Sequence, residues 1–375
     1  MKTLTRLGTV AALALAVAGP TSILAGPASA TTHDPAPVFV QSDNLSGNTV
    51  TVYDRAADGA LTEGATVATG GLGGALTGSV VDHLASQGGL GYDADRGLLY
   101  AVNAGSDTLT TFLVNGDRLV RHQVLGTRGT FPASVTTRGD VVYVLNARDG
   151  GSIQGYRAVG RNLVAVAAWH RDLGLDPNAT PEFTHTPGQV AFTPDGSRLL
   201  VTTKGNTSAI DVFDVSPSGA PSDAPVVTPL PGAVPFGVAF DAAGRVAVAE
   251  AGTNAVATFT IAGDDTLTPL AFAATGQGAT CWIVRSGDFL YASNAGGGNV
   301  TGYRTDGAAL APLGNTATGA GSVDAAASTD GRNVYVQTGG TGSVAEFSVG
   351  ADGSLTRIGT VLVPGAAGGE GIVAG

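Results

Sequence analysis

Seven short polar loops in this chain share one position, held by Ser42, Asn103, Asn146, Thr203, Glu250, Asn294 and Thr338. Glu250 sits at that position, and Lys204 lies one residue beyond it in the preceding repeat. A carboxylate beside an ammonium group can activate water and steady the negative charge that forms on an attacked carbonyl oxygen. That chemistry makes Glu250 the candidate base and Lys204 the candidate oxyanion stabiliser. A structural ion pair at a rim is the competing reading. Asn103, Asn146 and Asn294 would position a ligand from the same loops, or serve only to satisfy turn backbone. A second set opens short strands: Ser134, Gln189, Phe236, Trp282, Asp324 and Glu370. Of these, Gln189 and Asp324 offer polar contacts, and Trp282 offers a stacking face or a core plug. His185, with Glu182 nearby, supplies an acid or base in a longer loop. Cys281 has no evident Arg or His beside it to make a thiolate, and reads as a small buried hydrophobe.

The elements that must position these residues are repeats. A phrase of one apolar run, a small polar loop and a second run ending in an aromatic begins at Val38, Leu99, Val142, Leu199, Val246, Leu290 and Val334. The starts are 61, 43, 57, 47, 44 and 44 residues apart. A period in the forties built from short strands predicts β-propeller blades. In the unit from Pro187 to Gly232, strands are expected at Gln189–Phe192, Arg198–Thr202, Ala209–Val215 and around Pro225–Thr228. Asp-Gly turns such as Asp58-Gly59, Asp306-Gly307 and Asp352-Gly353 mark the hairpins. The fold class is therefore all-β: a seven-bladed propeller of four-stranded antiparallel blades. The first repeat lacks an inner strand before Val38, and Glu370–Val373 forms an orphan strand near the other end. Pairing the two closes the ring and removes a free sheet edge. Two insertions, 70–87 and 173–186, are expected at the mouth of the ring.

Residues 1–30 read as a secretion signal: basic Lys2 and Arg6, an apolar stretch from Leu7 to Ala18, and Ala28-Ser29-Ala30 as the cleavage site. The expected product is a secreted single domain, 31–375, with no membrane span. Of 19 basic residues, 17 remain after the signal against 30 acidic ones, a net charge of −13. That balance excludes nucleic acid and anionic membranes as partners. One cysteine permits no internal disulfide. A monomer acting on a small-molecule ligand is expected, with no cofactor and no metal.

The segments HTPGQVAFTPDGSRLLVTTKG (185–205), PFGVAFDAAGRVAVAEAG (235–252), TCWIV (280–284) and LYASNAGGGNVTGYRTDG (290–307) resemble the lactonase-type seven-bladed propellers. These are the relatives of 6-phosphogluconolactonase and carboxymuconate cyclase, with repeats of the YVTN kind. The resemblance covers essentially the whole chain after residue 30 and implies an exported bacterial member acting on a lactone at the mouth of the channel. The family's Pro-Arg-His or Pro-His pattern is replaced here by Pro187-Gly188-Gln189 and Pro235-Phe236-Gly237. Without that Arg or His, the match points away from a phosphorylated sugar.

Other catalytic designs are absent from the sequence. No serine sits in G-x-S-x-G, no H-E-x-x-H or paired-cysteine zinc site occurs, and Gly70–Gly74 does not complete a dinucleotide fingerprint. Two functions remain: a lactonase-like hydrolase or cyclase, and a non-catalytic extracellular binding propeller. The chemistry exposed on the loop face discriminates between them.

Overall fold

In each repeated phrase the alternation of apolar side chains gives a strand with two usable faces, and the small polar loop reverses it. The computed structural model describes residues 36–306 and 309–375, with isolated positions 1, 3 and 8 before them. Apart from those isolated positions, the expected secretion signal and its cleavage site lie outside the described residues. Seven four-stranded antiparallel sheets form. Their inner strands are Ile372–Ala374, Leu90–Asp93, Pro132–Arg138, Gln189–Phe192, Pro235–Phe240, Thr280–Ser286 and Ser322–Ala327, for blades one to seven. Each inner strand neighbours the next around a ring.

The expected boundaries hold closely in blade four, whose strands are Gln189–Phe192, Arg198–Thr202, Ala209–Asp214 and Val226–Pro229. The loop Lys204–Thr207 is a helical turn instead of open coil. The ring closes where the sequence places the closure. Val38, Phe39 and Val40 pair antiparallel with Ala374, Val373 and Ile372. The orphan strand is shorter than expected and excludes Glu370, whose carboxyl turns toward the channel segment described below.

Packing between blades supplies the core. Phe39, Val50 and Val52 of blade one bury against Leu90, Leu99 and Phe112 of blade two. Side chains of this size each contribute about 1.5–3 kcal/mol on full burial. A tyrosine in the second strand adds a polar stitch to several seams. Tyr143, Tyr291 and Tyr335 donate to the carbonyls of Gly219, Gly353 and Gly59 in the next blade, at 2.7–2.8 Å. The tyrosine hydroxyl thus finds its partner without an exposed edge. Among the described residues no helix is long and apolar enough to cross a membrane.

The first insertion does more than border the mouth. Residues 82–89 enter the channel and hydrogen-bond to six of the seven blades. The Ser86 carbonyl accepts from Trp282 Nε1 at 2.6 Å in blade six, and the Gln87 carbonyl accepts from Ser134 Oγ at 2.7 Å in blade three. Gln87 N–H donates to Gly188 O of blade four, and Gln87 Nε2 reaches Val238 O of blade five. Gly89 N–H donates to Glu370 of blade one at 3.0 Å, and Gly89 O accepts from Val102 of blade two. The Gly88 backbone also faces the Asp324 carboxyl of blade seven and works against the rise in its pKa.

This stopper accounts for the glycine of Pro235-Phe236-Gly237. A β-carbon on Gly237 would lie 2.1 Å from Gln87 Oε1. The position is kept bare so that Gln87 can approach.

Candidate functional site

The structure does not bring Glu250 and Lys204 together. Glu250 is buried at the end of Val246–Glu250, and its Oε2 accepts from Thr253 Oγ1 at 2.8 Å. Burial raises its pKa above the ordinary carboxylate range. Lys204 is fully enclosed. Its ammonium donates to Ala85 O and Phe183 O at 2.6 Å and to Thr186 Oγ1 at 2.9 Å, 5.1 Å from the Phe236 ring. Burial lowers its pKa to about 7, against the opposing pull of the Asp82 charge. An ammonium with three protein acceptors has no donor left for a substrate oxyanion, and Lys204 forms no ion pair with Glu250 in the described structure. The loop ring also holds a further buried carboxyl, Asp43, beside Ser42, and burial raises its pKa well above the ordinary range.

The three loop asparagines face inward. Asn103 donates to Thr108 and Thr110 and accepts from Asn48. Asn146 donates to Thr127 O and Ser152. Asn294 bonds Asn299, Thr301 and Thr280. All three are fully enclosed, so in this state they order the loops and present no face to a ligand. Gln189 accepts from the Val238 N–H at 2.6 Å and ties blade four to blade five. Trp282 is a core residue that holds the stopper and packs on Phe236 with ring centroids 5.1 Å apart. Cys281 is buried, and its surroundings push the thiol pKa up to about 12, mainly by desolvation.

Asp324 lies within the channel, where it meets Glu370 and Asp82. Burial raises the pKa of all three carboxyls. The hydroxyl of Ser86 lies 2.7 Å from Ala133 O and 2.9 Å from Glu370 Oε2. One hydroxyl proton cannot serve two acceptors. A protonated Glu370, the state that burial favours, completes both bonds. Asp82 and Ser86 belong to the stopper itself, and these groups are all buried.

His185 and Glu182 are different. They lie on the loop face in the helical turn Glu182–His185 of the second insertion. There they line a cavity of about 120 Å³ with Arg148, Asp149, Asp176 and Asn206. Glu182 accepts from Arg148 Nε at 2.6 Å and Nη2 at 3.2 Å, and from the Thr77 N–H at 2.6 Å. That arrangement lowers its pKa to about 2, so Glu182 is an anchor and not a proton carrier. Arg148 lies 4.5 Å over the Phe131 ring, and its Nη1 makes no hydrogen bond among the described residues.

His185 Nδ1 is 2.9 Å from Pro181 O. Nδ1 also lies 3.0 Å from Thr184 Oγ1, which can donate or accept; the tautomer protonated at Nδ1 is the one that satisfies the Pro181 carbonyl and leaves a lone pair on Nε2. Asn206 holds the insertion from below, donating to His185 O and Asp176 O and accepting from the Asp176 N–H. The cavity therefore combines an imidazole base with a fixed guanidinium.

Arg148 and Asn206 carry no signal in the repeat pattern, because each lies beyond the one position that recurs in every loop. Arg148 lies two residues past Asn146 in a longer loop, and it is the arginine of that loop ring. Among the described residues, no group of three or more His, Cys, Asp or Glu is arranged to hold a metal ion.

No family model matches this chain, and no curated protein does. Solved structures match its fold. One from Bacteroides fragilis, described as "a putative 6-phosphogluconolactonase", has 20% identity and a TM-score of 0.70, covering 90% of this chain and 98% of that one. The periplasmic gluconolactonase of Pseudomonas aeruginosa has 20% identity and a TM-score of 0.69 over the same shares. A protein of Lactobacillus plantarum has 18% identity and a TM-score of 0.73, again over 90% and 98%. At these identities the likeness is one of fold.

Proposed function

We propose that this protein is an exported hydrolase that opens a small lactone ring, and that the chemistry occurs in the loop-face cavity between blades three and four. Its fold is that of the 6-phosphogluconolactonase-like seven-bladed propellers, which supports the reaction class. The observation that carries the reading is that His185 and Arg148 line one polar cavity.

In the proposed reaction His185 Nε2 takes a proton from water as the water oxygen attacks the lactone carbonyl carbon. The carbonyl oxygen gains negative charge and is met by Arg148 Nη1. Collapse of the tetrahedral intermediate breaks the ring C–O bond, and the imidazolium returns its proton to the departing ring oxygen. Water is added across the bond and no co-reactant is needed. Asp149 and Asp176 line the same cavity, and Glu182 already neutralises Arg148, so an uncharged ring is favoured over a phosphorylated one.

The test is hydrolysis of a panel of uncharged aldonolactones and simple five- and six-membered lactones by purified protein, followed by pH-stat. Turnover that His185→Gln abolishes supports the reading. Absence of turnover on the whole panel defeats it.

A further inference from the structure

His185 sits in a helical turn of four residues, Glu182–His185, with no side-chain cap at Pro181. A helix this short does not hold itself, because nucleation fixes several dihedrals for one hydrogen bond. The turn is held from outside. Lys204 reaches it from blade four and bonds on both sides of the histidine, to Phe183 O and Thr186 Oγ1. The same ammonium bonds Ala85 O of the stopper.

We propose that Lys204 is the positioning residue of the loop-face cavity: its nitrogen brackets His185 between residues 183 and 186 and ties that turn to the segment that fills the channel. The inference rests on the reading of this cavity as the lactone site, but its first readout does not.

Two features mark the lysine as built for this place. It adopts φ +47°, in the left-handed region that a non-glycine residue enters only at a cost. It is also fully buried, where a charge is retained only with full hydrogen bonding. Its partners suit either protonation state. The ammonium donates three bonds. The neutral amine donates two to the carbonyls and accepts one from the Thr186 hydroxyl. Asp82, Glu182, Glu370 and Cys281 are the titratable groups that act on it. Replacing Lys204 leaves two carbonyls without a donor and frees the backbone on both sides of His185.

The experiment is ¹⁵N NMR of the His185 ring together with steady-state kinetics, on full-length wild type and Lys204→Met. In wild type, His185 shows a protonated Nδ1 and an unprotonated Nε2. In Lys204→Met the two tautomers mix, and kcat falls about 10²-fold with KM within about threefold, since misplacing a reacting group by about 1 Å costs on that order. Val336→Ala, a fully buried core change in blade seven, serves as the control. It lowers Tm without moving the His185 signals, which separates positioning from general stability. If Lys204→Met does not fold, Thr186→Val removes one bond of the bracket, and the same readouts shift in the same direction. Unchanged His185 tautomers with unchanged kcat overturn the proposal. If wild type opens no lactone, the functional reading falls, and the NMR arm alone decides whether Lys204 orders His185.

Discussion

The Gln87 carboxamide pairs with the backbone of Ile283 as a strand would. It donates to the Ile283 carbonyl at 2.9 Å and accepts from the Ile283 N–H at 2.9 Å. One side chain thus completes the inner edge of blade six from within the channel.

Gln87→Leu keeps the volume and removes both bonds, together with the longer one from Nε2 to Val238 O. A buried N–H and a buried carbonyl are then left without partners, each costing about 1–3 kcal/mol. Urea unfolding should show a loss of about 2–6 kcal/mol from these two groups. A loss below about 0.5 kcal/mol would mean that water replaces the amide without penalty.

His185→Gln should lower kcat on a lactone substrate by about two to four decades, the usual worth of general-base assistance. Glu250→Gln should stay within about threefold of wild type, because Glu250 is turned onto Thr253 and a factor of three is under 1 kcal/mol. Kinetics on the two variants decide between the bases. Collapse in Glu250→Gln with activity in His185→Gln would move the site to blade five.

The Arg148–Glu182 pair should leave a pH signature in stability. The Glu182 pKa is lowered to about 2 in the folded protein, chiefly by its hydrogen bond to Arg148. A depressed carboxyl pKa contributes stability that is present above the unfolded value near 4.5 and is lost as pH falls through about 2. The Tm of wild type should exceed that of Glu182→Gln at pH 6, and the gap should narrow steadily between pH 4.5 and pH 2. Both side chains are partly exposed, so the gap should also shrink in high salt. A gap that is constant with pH would remove the ion pair as its cause.

Deletion of residues 371–375 should strip the inner strand from blade one. The exposed edge at Val38–Gln41 should then promote association, read as a rising sedimentation coefficient with concentration and a broadened melt. A truncated protein that stays monomeric with a wild-type melt contradicts the role of that pairing.

Export with cleavage after Ala30 should give a secreted protein whose N-terminal sequencing begins at Thr31. Material in the culture medium that retains Met1 counts against it.

The ring was legible because its information is local and repeated. Every blade carries its own alternating runs and turn glycines, and the missing strand before Val38 announces its replacement near Ile372. The site was less legible for three physical reasons. Residues 70–87 carry no strand period, so nothing in them says that Ser86 and Gln87 run down the channel and seal it. Asn103, Asn146 and Asn294 look like ligand contacts in a linear loop, but each spends its amide on threonine, serine or asparagine neighbours in and around its own turn. The partners of Lys204 come from residues 85, 183 and 186, and spacing along a repeat cannot express a meeting of three such distant segments. His185 was visible as a loop histidine. Its companion Arg148 was hidden by the longer loop that carries it.

The pairing of Val38–Val40 with Ile372–Ala374 also sets a timetable. As the chain emerges N-terminus first, from a ribosome or across a membrane, the opening blade is released hundreds of residues before the strand that finishes it. Blade one must wait, three strands wide, while its neighbours form. Closure is a contact of very high sequence separation, a class of event that slows folding and lengthens exposure to misassociation. The final act of folding is therefore a circular splice. Until it occurs the nascent ring is an open chain of blades, and the interval before that splice is when the molecule most needs a chaperone.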